Sequence, residues 1–214
     1  MKEYQDKIAS LDILEDLLST PTPEAVKMFS GLEGDIMFLG IGGKIGPSMA
    51  SMAKRACEQA GVEKRMYGVA LFESAEQRKQ LENIGIKTYH GDLLDPDFIQ
   101  SLPKVKNVYF LAGMKFGSED NLSMTWAVNS FMPALVADYY KDSNIVAFST
   151  GCVYPLVKTE SGGSKETDTA GPLGEYAQSC LGRERLFEFG SLKNKTPVLL
   201  IRLNYAVEMR YGYW

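Results

Sequence analysis

Leu39-Gly40-Ile41-Gly42-Gly43-Lys44-Ile45-Gly46-Pro47 is the stretch on which the fold of this chain turns. Its glycines at 40, 43 and 46 follow a G-x-x-G-x-x-G spacing, behind the apolar run Asp35-Ile-Met-Phe-Leu-Gly40 and ahead of a helical pattern. Glycine lets a backbone turn tightly and approach an anion with no Cβ in the way, and the N–H groups and positive end of a following helix attract that anion. Pro47 suits a first helical turn, where no amide partner is lost. Gly40, Gly42, Gly43, Lys44, Ile45 and Gly46 are therefore candidates for holding a pyrophosphate. The bland alternative is a strand-to-helix turn that is merely rich in glycine, and the surrounding pattern argues against it.

Outward from this turn, apolar runs of strand length alternate with amphipathic helical stretches, the pattern of βαβ units around a parallel sheet. Strands are expected at 35–40, 65–71, 86–90, 106–111, 144–149 and 197–202, with helices near 46–60, 74–84, 95–101, 120–141 and 173–190. Six strands and five crossovers predict an α/β fold, a Rossmann-type doubly wound sheet in the order 3-2-1-4-5-6. Before it, Ser10 caps a short helix carrying Leu11, Leu14, Leu17 and Leu18, and Pro23 opens a second. Residues 1–34 thus read as a helical N-terminal extension and 35–214 as the sheet domain. Gly151 to Gly174, rich in Gly, Ser, Thr and Pro, is too long for a simple connection and reads as functional.

Composition narrows the function classes. The 214 residues are 45% hydrophobic and 23% charged, which excludes disordered, collagenous and coiled-coil classes. A net charge of −4 offers no general attraction to nucleic acid or anionic lipid. No window reaches the length of a membrane span, and the N-terminus is broken by acids, so the expectation is a protein without nucleic-acid or membrane partners. Cys57, Cys152 and Cys180, with the single histidine His90, make neither a metal-ligand nor a disulfide pattern, which points to a reducing, cytoplasmic compartment.

An acid at the end of the second strand would hold adenosine ribose hydroxyls and favour NAD, and a base there would favour NADP. The strand Met66-Tyr-Gly-Val-Ala-Leu71 is followed by Phe72 and Glu73, with Arg78 further on. Glu73 either reaches a ribose or is a solvated carboxylate at a helix start.

With these motifs in hand, residues 35–205 resemble the extended short-chain dehydrogenase/reductase family, the NAD(P)-dependent sugar-nucleotide epimerases and dehydratases. The resemblance continues in Gly91-Asp92-Leu93 after the third strand, where the family's Asp contacts the adenine. It extends to Leu111-Ala112-Gly113 after the fourth, where backbone lines the cofactor, and to Asn129 in Trp126-Ala-Val-Asn129, which looks like the family's helix asparagine. Phe148-Ser149-Thr150-Gly-Cys-Val-Tyr154-Pro matches the fifth-strand motif and places Thr150 at the catalytic Ser/Thr position.

The family's catalytic tyrosine belongs to a Y-x-x-x-K motif on the helix leading to the sixth strand. Tyr176, 26 residues after Thr150, matches its placement, but position 180 is cysteine, which carries no fixed positive charge. A literal Y-x-x-x-K occurs at Tyr154–Lys158, where Pro155 and the nearness of Thr150 mark it as a decoy. Arg183 lies seven residues beyond Tyr176 on the same helix face; it either approaches the site or is a salt-bridged surface arginine. His90 at a strand end, Lys115 and Phe116 past the fourth strand, and Cys152 are secondary candidates, each with an ordinary structural alternative.

The resemblance implies NAD or NADP as cofactor, hydride transfer on a nucleotide sugar or related hydroxyl or carbonyl substrate, Tyr176 and Thr150 as the catalytic pair, and a homodimer. The missing lysine keeps open a different class, a catalytically silent dinucleotide-binding or regulatory module. Members of the family continue well past the sixth strand to build a substrate-binding part, so the expectation is a truncated chain whose reading frame continues beyond Trp214.

Overall fold

The computed structural model describes residues 8–204, so the first seven residues of the expected extension and the last ten of the expected sheet domain lie outside the described residues. Six strands form one parallel sheet: β1 (Ile36–Leu39), β2 (Met66–Ala70), β3 (Ile86–His90), β4 (Asn107–Phe110), β5 (Asn144–Thr150) and β6 (Val198–Leu203). Their order is β3-β2-β1-β4-β5-β6, the doubly wound order that the sequence predicts. All four residues of β1 are fully buried because helices cover both faces of this central strand.

Alternation along the strands divides the core in two. Ile36, Phe38, Met66 and Ile86 face Ala50, Ala53, Ala56 and Cys57 of α3 (Gly46–Gln59) and Leu81 of α4 (Ala75–Asn83). Met37, Leu39, Val108, Phe110 and Ala147 meet Ile99 of α5 (Pro96–Ser101) and a helical layer on the other face. The N-terminal helices α1 (Leu11–Leu18) and α2 (Pro23–Gly31) begin at Ser10 and Thr22 caps. Both lie against α3: Phe29 enters its core, and Arg55 ion-pairs with Asp16 at 2.9 Å and donates to Ser19 Oγ at 2.8 Å.

The expected helix at 120–141 is not one regular α-helix. It comprises α6 (Leu122–Trp126), a π-helical turn over Ala127–Phe131, and α7 (Met132–Tyr139). Pro133 supplies the reason: it has no N–H for the Asn129 carbonyl four residues earlier, and its ring crowds that carbonyl. The last helix, α8 (Gly174–Asn194), runs four residues beyond the expected end at 190 and stops at Lys195 in the left-handed region, with φ 59°. Between β5 and α8 the chain is irregular apart from 3₁₀ turns at Gly151–Val153 and Thr159–Ser161. Among the described residues no helix is long and apolar enough to cross a membrane.

Candidate functional site

The glycine turn joins β1 to α3 at the carboxyl end of the sheet, where β1 lies between β2 and β4 and the connections diverge to either side. Two of its glycines are demanded by the fold. Gly40 has φ +89°, and a Cβ there would lie 2.5 Å from the Ala112 nitrogen; at Gly46 a Cβ would lie 2.1 Å from the Ile41 carbonyl oxygen. Gly43 differs, because a Cβ would meet only the Gly40 oxygen, at an ordinary 3.5 Å. Gly43 and Lys44 are exposed, so the protein itself does not require glycine at 43, and a group bound in front of it can approach the backbone closely. α3 has Ile45 at its N-cap position and no side-chain cap, as is also true of α7 and α8, whereas α1, α2, α4, α5 and α6 are capped by Ser10, Thr22, Ser74, Asp95 and Asn121. The positive end of α3 is thereby open to an anion.

At the end of β2 the structure adds a residue that sequence reasoning missed. Gln77 donates from Nε2 to the Gly42 carbonyl at 2.9 Å, and its Oε1 is buried with no partner. The signal was a polar residue one helical turn beyond Glu73, passed over because an acid at the strand end was sought. Glu73 itself is exposed beside the Ser74 cap, and Phe72 before it takes a left-handed φ of 44°, packing edge-on to His90. Arg78 is engaged by Glu82 and Thr88. Asp92 is exposed and accepts from the Leu94 N–H at 2.8 Å, while the Leu93 side chain is in the core and leaves only its backbone for a ligand. An orphaned acceptor, an uncapped helix and a clearing at Gly43 fit the hydroxyls and phosphates of a dinucleotide.

The second half of the site forms where β5 ends and α8 begins. Thr150, the last residue of β5, is buried and accepts from the Cys152 N–H at 3.2 Å. Tyr176, in the first turn of α8, brings its phenol to the Thr150 hydroxyl and the Cys180 thiol. Burial pushes that phenol up to about 12; the neighbouring Cys180 adds to the rise, and hydrogen bonding with Thr150 and the charge of Arg183 oppose it. The Cys180 thiol is also raised, mainly by burial, which keeps it neutral. Tyr154 faces elsewhere: its hydroxyl accepts from Arg202 Nη1 at 2.8 Å, and Lys158 is exposed outside any α-helix. Arg202 also holds the buried carboxylate of Glu184, which accepts from Ser149 as well.

Beneath this pair lie Asn129 and Arg183. Asn129 is fully buried; its Oδ1 accepts from the Met114 N–H at 2.8 Å and from Arg183 Nη2 at 2.7 Å, and its Nδ2 donates to the Met114 carbonyl and to Ser179 Oγ. With its amide fully occupied, Asn129 fixes the Met114 backbone in the loop that follows β4. The surface reading of Arg183 is overturned: the residue is 5% exposed, and among the described residues no carboxylate pairs with it. The helix face carrying it is covered by the π-turn, which composition alone did not reveal. Gly113 is exposed directly over it, and a Cβ there would lie 2.6 Å from Arg183 Nη2. Lys115, Phe116, His90 and Cys152 are exposed, with Lys44 Nζ 5.5 Å from the Phe116 ring centroid.

No family model and no curated protein matches the sequence. Solved structures do. A UDP-glucuronic acid 4-epimerase from Bacillus cereus, in complex with a fluorinated UDP-sugar and NAD, superposes with a TM-score of 0.66 at 18% identity, over 78% of this chain and 55% of that one. A dTDP-glucose 4,6-dehydratase from Streptomyces venezuelae with NAD and TYD bound gives 0.67 at 19% identity, over 78% and 55%. A short-chain dehydrogenase/reductase superfamily protein from Agrobacterium tumefaciens with bound NAD gives 0.63 at 20%, over 78% and 48%. These likenesses establish the fold, and the chain spans about half the length of the structures it matches.

Proposed function

We propose that this chain is the cofactor-binding part of an NAD-dependent oxidoreductase of the epimerase/dehydratase type, acting by hydride transfer on a nucleotide sugar. The observation that carries the reading is the convergence of Thr150 and Tyr176 at the sheet end that bears the glycine turn. The neighbours that share the fold hold NAD, and two hold a nucleotide or nucleotide sugar beside it. Gly40, Gly42, Gly43, Lys44, Ile45 and Gly46 would hold the pyrophosphate, Gln77, with Glu73 nearby, would hold the adenosine ribose, Asp92 and the Leu93 backbone the adenine, and Ala112 and Gly113 the nicotinamide. NAD is favoured over NADP because Arg78, the basic residue near the end of β2, is tied to Glu82 and Thr88.

A bound nicotinamide supplies the hydride acceptor or donor. Thr150 orients the reacting oxygen of the substrate by hydrogen bonding, and Tyr176 moves the proton on that oxygen. With the phenol at about 12 in the free protein, only about one molecule in 10⁵ is phenolate at pH 7. Tyr176 is thus protonated in the free protein, and it must give up that proton before it can act as the base when a substrate hydroxyl is oxidised. The dinucleotide and the free cysteines suit a cytoplasmic setting. A homodimer fits the exposed Phe131 beside α7 and the exposed Phe189 and Leu192 on α8, and sedimentation of the purified chain reads it directly.

Conversion of a panel of nucleotide sugars in the presence of NAD, followed by chromatography of the products because an epimerase or dehydratase returns the hydride within each cycle, tests the reading. The wild type should show substrate-dependent product formation that Tyr176→Phe lowers by at least about 100-fold. Full activity in Tyr176→Phe removes the tyrosine from the mechanism.

A further inference from the structure

Cys180, a buried neutral thiol, occupies the position where the resemblance implies a lysine, so Tyr176 lacks a cation at that place. We infer that Arg183 supplies the fixed positive charge of the site, as a positioning residue that acts on the Tyr176 phenol through the field of its guanidinium. The inference rests on the Thr150–Tyr176 reading above.

Residues 176, 180 and 183 stand at i, i+4 and i+7, on one face of α8. Helical side chains lean toward the N-terminus, so the Arg183 side chain covers the turn that carries Cys180, on the side of Tyr176. Its head group is fixed by three elements that build the site. Nη1 donates to the Phe148 carbonyl at 2.7 Å, two residues before Thr150 on β5. Nη2 donates to Asn129 Oδ1 at 2.7 Å, and Nε to the Asn129 carbonyl at 3.4 Å, the same carbonyl that Pro133 cannot serve. The Phe110 ring lies 5.5 Å from the guanidinium carbon, and Gly113 leaves room above it.

All three acceptors are neutral. Glu184, the adjacent residue in the chain, is hydrogen-bonded by Arg202 and Ser149; its charge favours the Arg183 guanidinium without pairing with it, and burial outweighs that effect. A guanidinium buried among neutral partners carries a desolvation cost that an uncharged side chain would avoid, so a role confined to bracing Asn129 leaves the charge itself unexplained. A cation held near a partly buried phenol favours its ionised form, which is the work the absent lysine would have done. The charge of Arg183 does oppose the rise of the phenol, while burial remains the stronger influence in the free protein.

The test separates charge from bracing. A fluorinated tyrosine, whose more acidic phenol ionises where the protein is stable, is placed at position 176 of the 214-residue chain. Its fluorine resonance is then followed against pH without cofactor. Arg183→Gln should raise the midpoint by about one unit, as expected for loss of a nearby opposite charge. Arg183→Lys, which keeps the charge but loses the planar fork, should lower the melting temperature and yet hold the midpoint within about 0.3 units. A folded Arg183→Gln with an unmoved midpoint overturns the inference. So does an Arg183→Lys midpoint that climbs as stability falls, and this second variant decides the matter if Arg183→Gln does not fold. Because the titration needs no dinucleotide, failure of the wild type to bind NAD overturns the proposed function separately.

Discussion

Asn129 clamps Met114 from both sides: its Oδ1 accepts the Met114 N–H and its Nδ2 donates to the Met114 carbonyl, both at 2.8 Å. One buried side chain thereby fixes the loop that leaves β4, and the π-turn that holds Asn129 sets the direction of the clamp. Asn129→Ala strands the Met114 groups, Ser179 and Arg183 without this partner. Unfolding in urea should show a loss of about 3 kcal/mol, the scale of several unmade buried hydrogen bonds.

Two glycines of the same turn should behave oppositely. Gly46→Ala drives a Cβ to 2.1 Å from the Ile41 oxygen and should cost about 3 kcal/mol in chemical denaturation. Gly43→Ala meets only an ordinary 3.5 Å contact and should leave stability within about 0.5 kcal/mol. The same Gly43→Ala protein should bind NAD at least about tenfold more weakly by calorimetry, because the Cβ enters the space a pyrophosphate needs.

Glu184 and Arg202 form an ion pair at 2.7 Å behind Thr150, with the Glu184 side chain 2% exposed. Glu184→Gln leaves the guanidinium facing a neutral amide, with one acceptor oxygen to share between Arg202 and Ser149 where the carboxylate offers two. Breaking such a pair on one side should cost about 3 kcal/mol, and thermal denaturation of the variant reads the loss.

Alkaline pH offers a check on Tyr176. Its phenol ionises near 10 when unfolded and is pushed up to about 12 when folded. Between those values the native state holds the proton more tightly, so the contribution is complete below pH 10 and is lost as pH rises through 12. Tyr140, raised in the same direction by burial, adds to the fall. Tyr176→Phe should therefore flatten the decline of melting temperature above pH 10 without abolishing it. An unchanged slope would mean that partial burial does not hold the proton on this phenol.

The sheet was legible because its signals are local: every strand lies within one residue of its expected bounds, since apolar runs between turn residues need no tertiary knowledge. Thr150 and Tyr176 were legible through motif order. Gln77 and Arg183 were not, because their roles depend on what another segment places over them: the Gly42 carbonyl for one, the π-turn for the other. Pro133 was visible in the sequence, but a proline within a helical pattern does not say whether the helix breaks, kinks or shifts to a π-turn. α8 runs past the expected end at 190, and Gly190 sits inside it, buried against the Ala137 side chain.

Calorimetric titration of the purified chain with NAD and, in parallel, NADP tests the central claim most directly. The account predicts saturable binding of NAD at a single site, with NADP weaker. Absence of binding by both dinucleotides would contradict it.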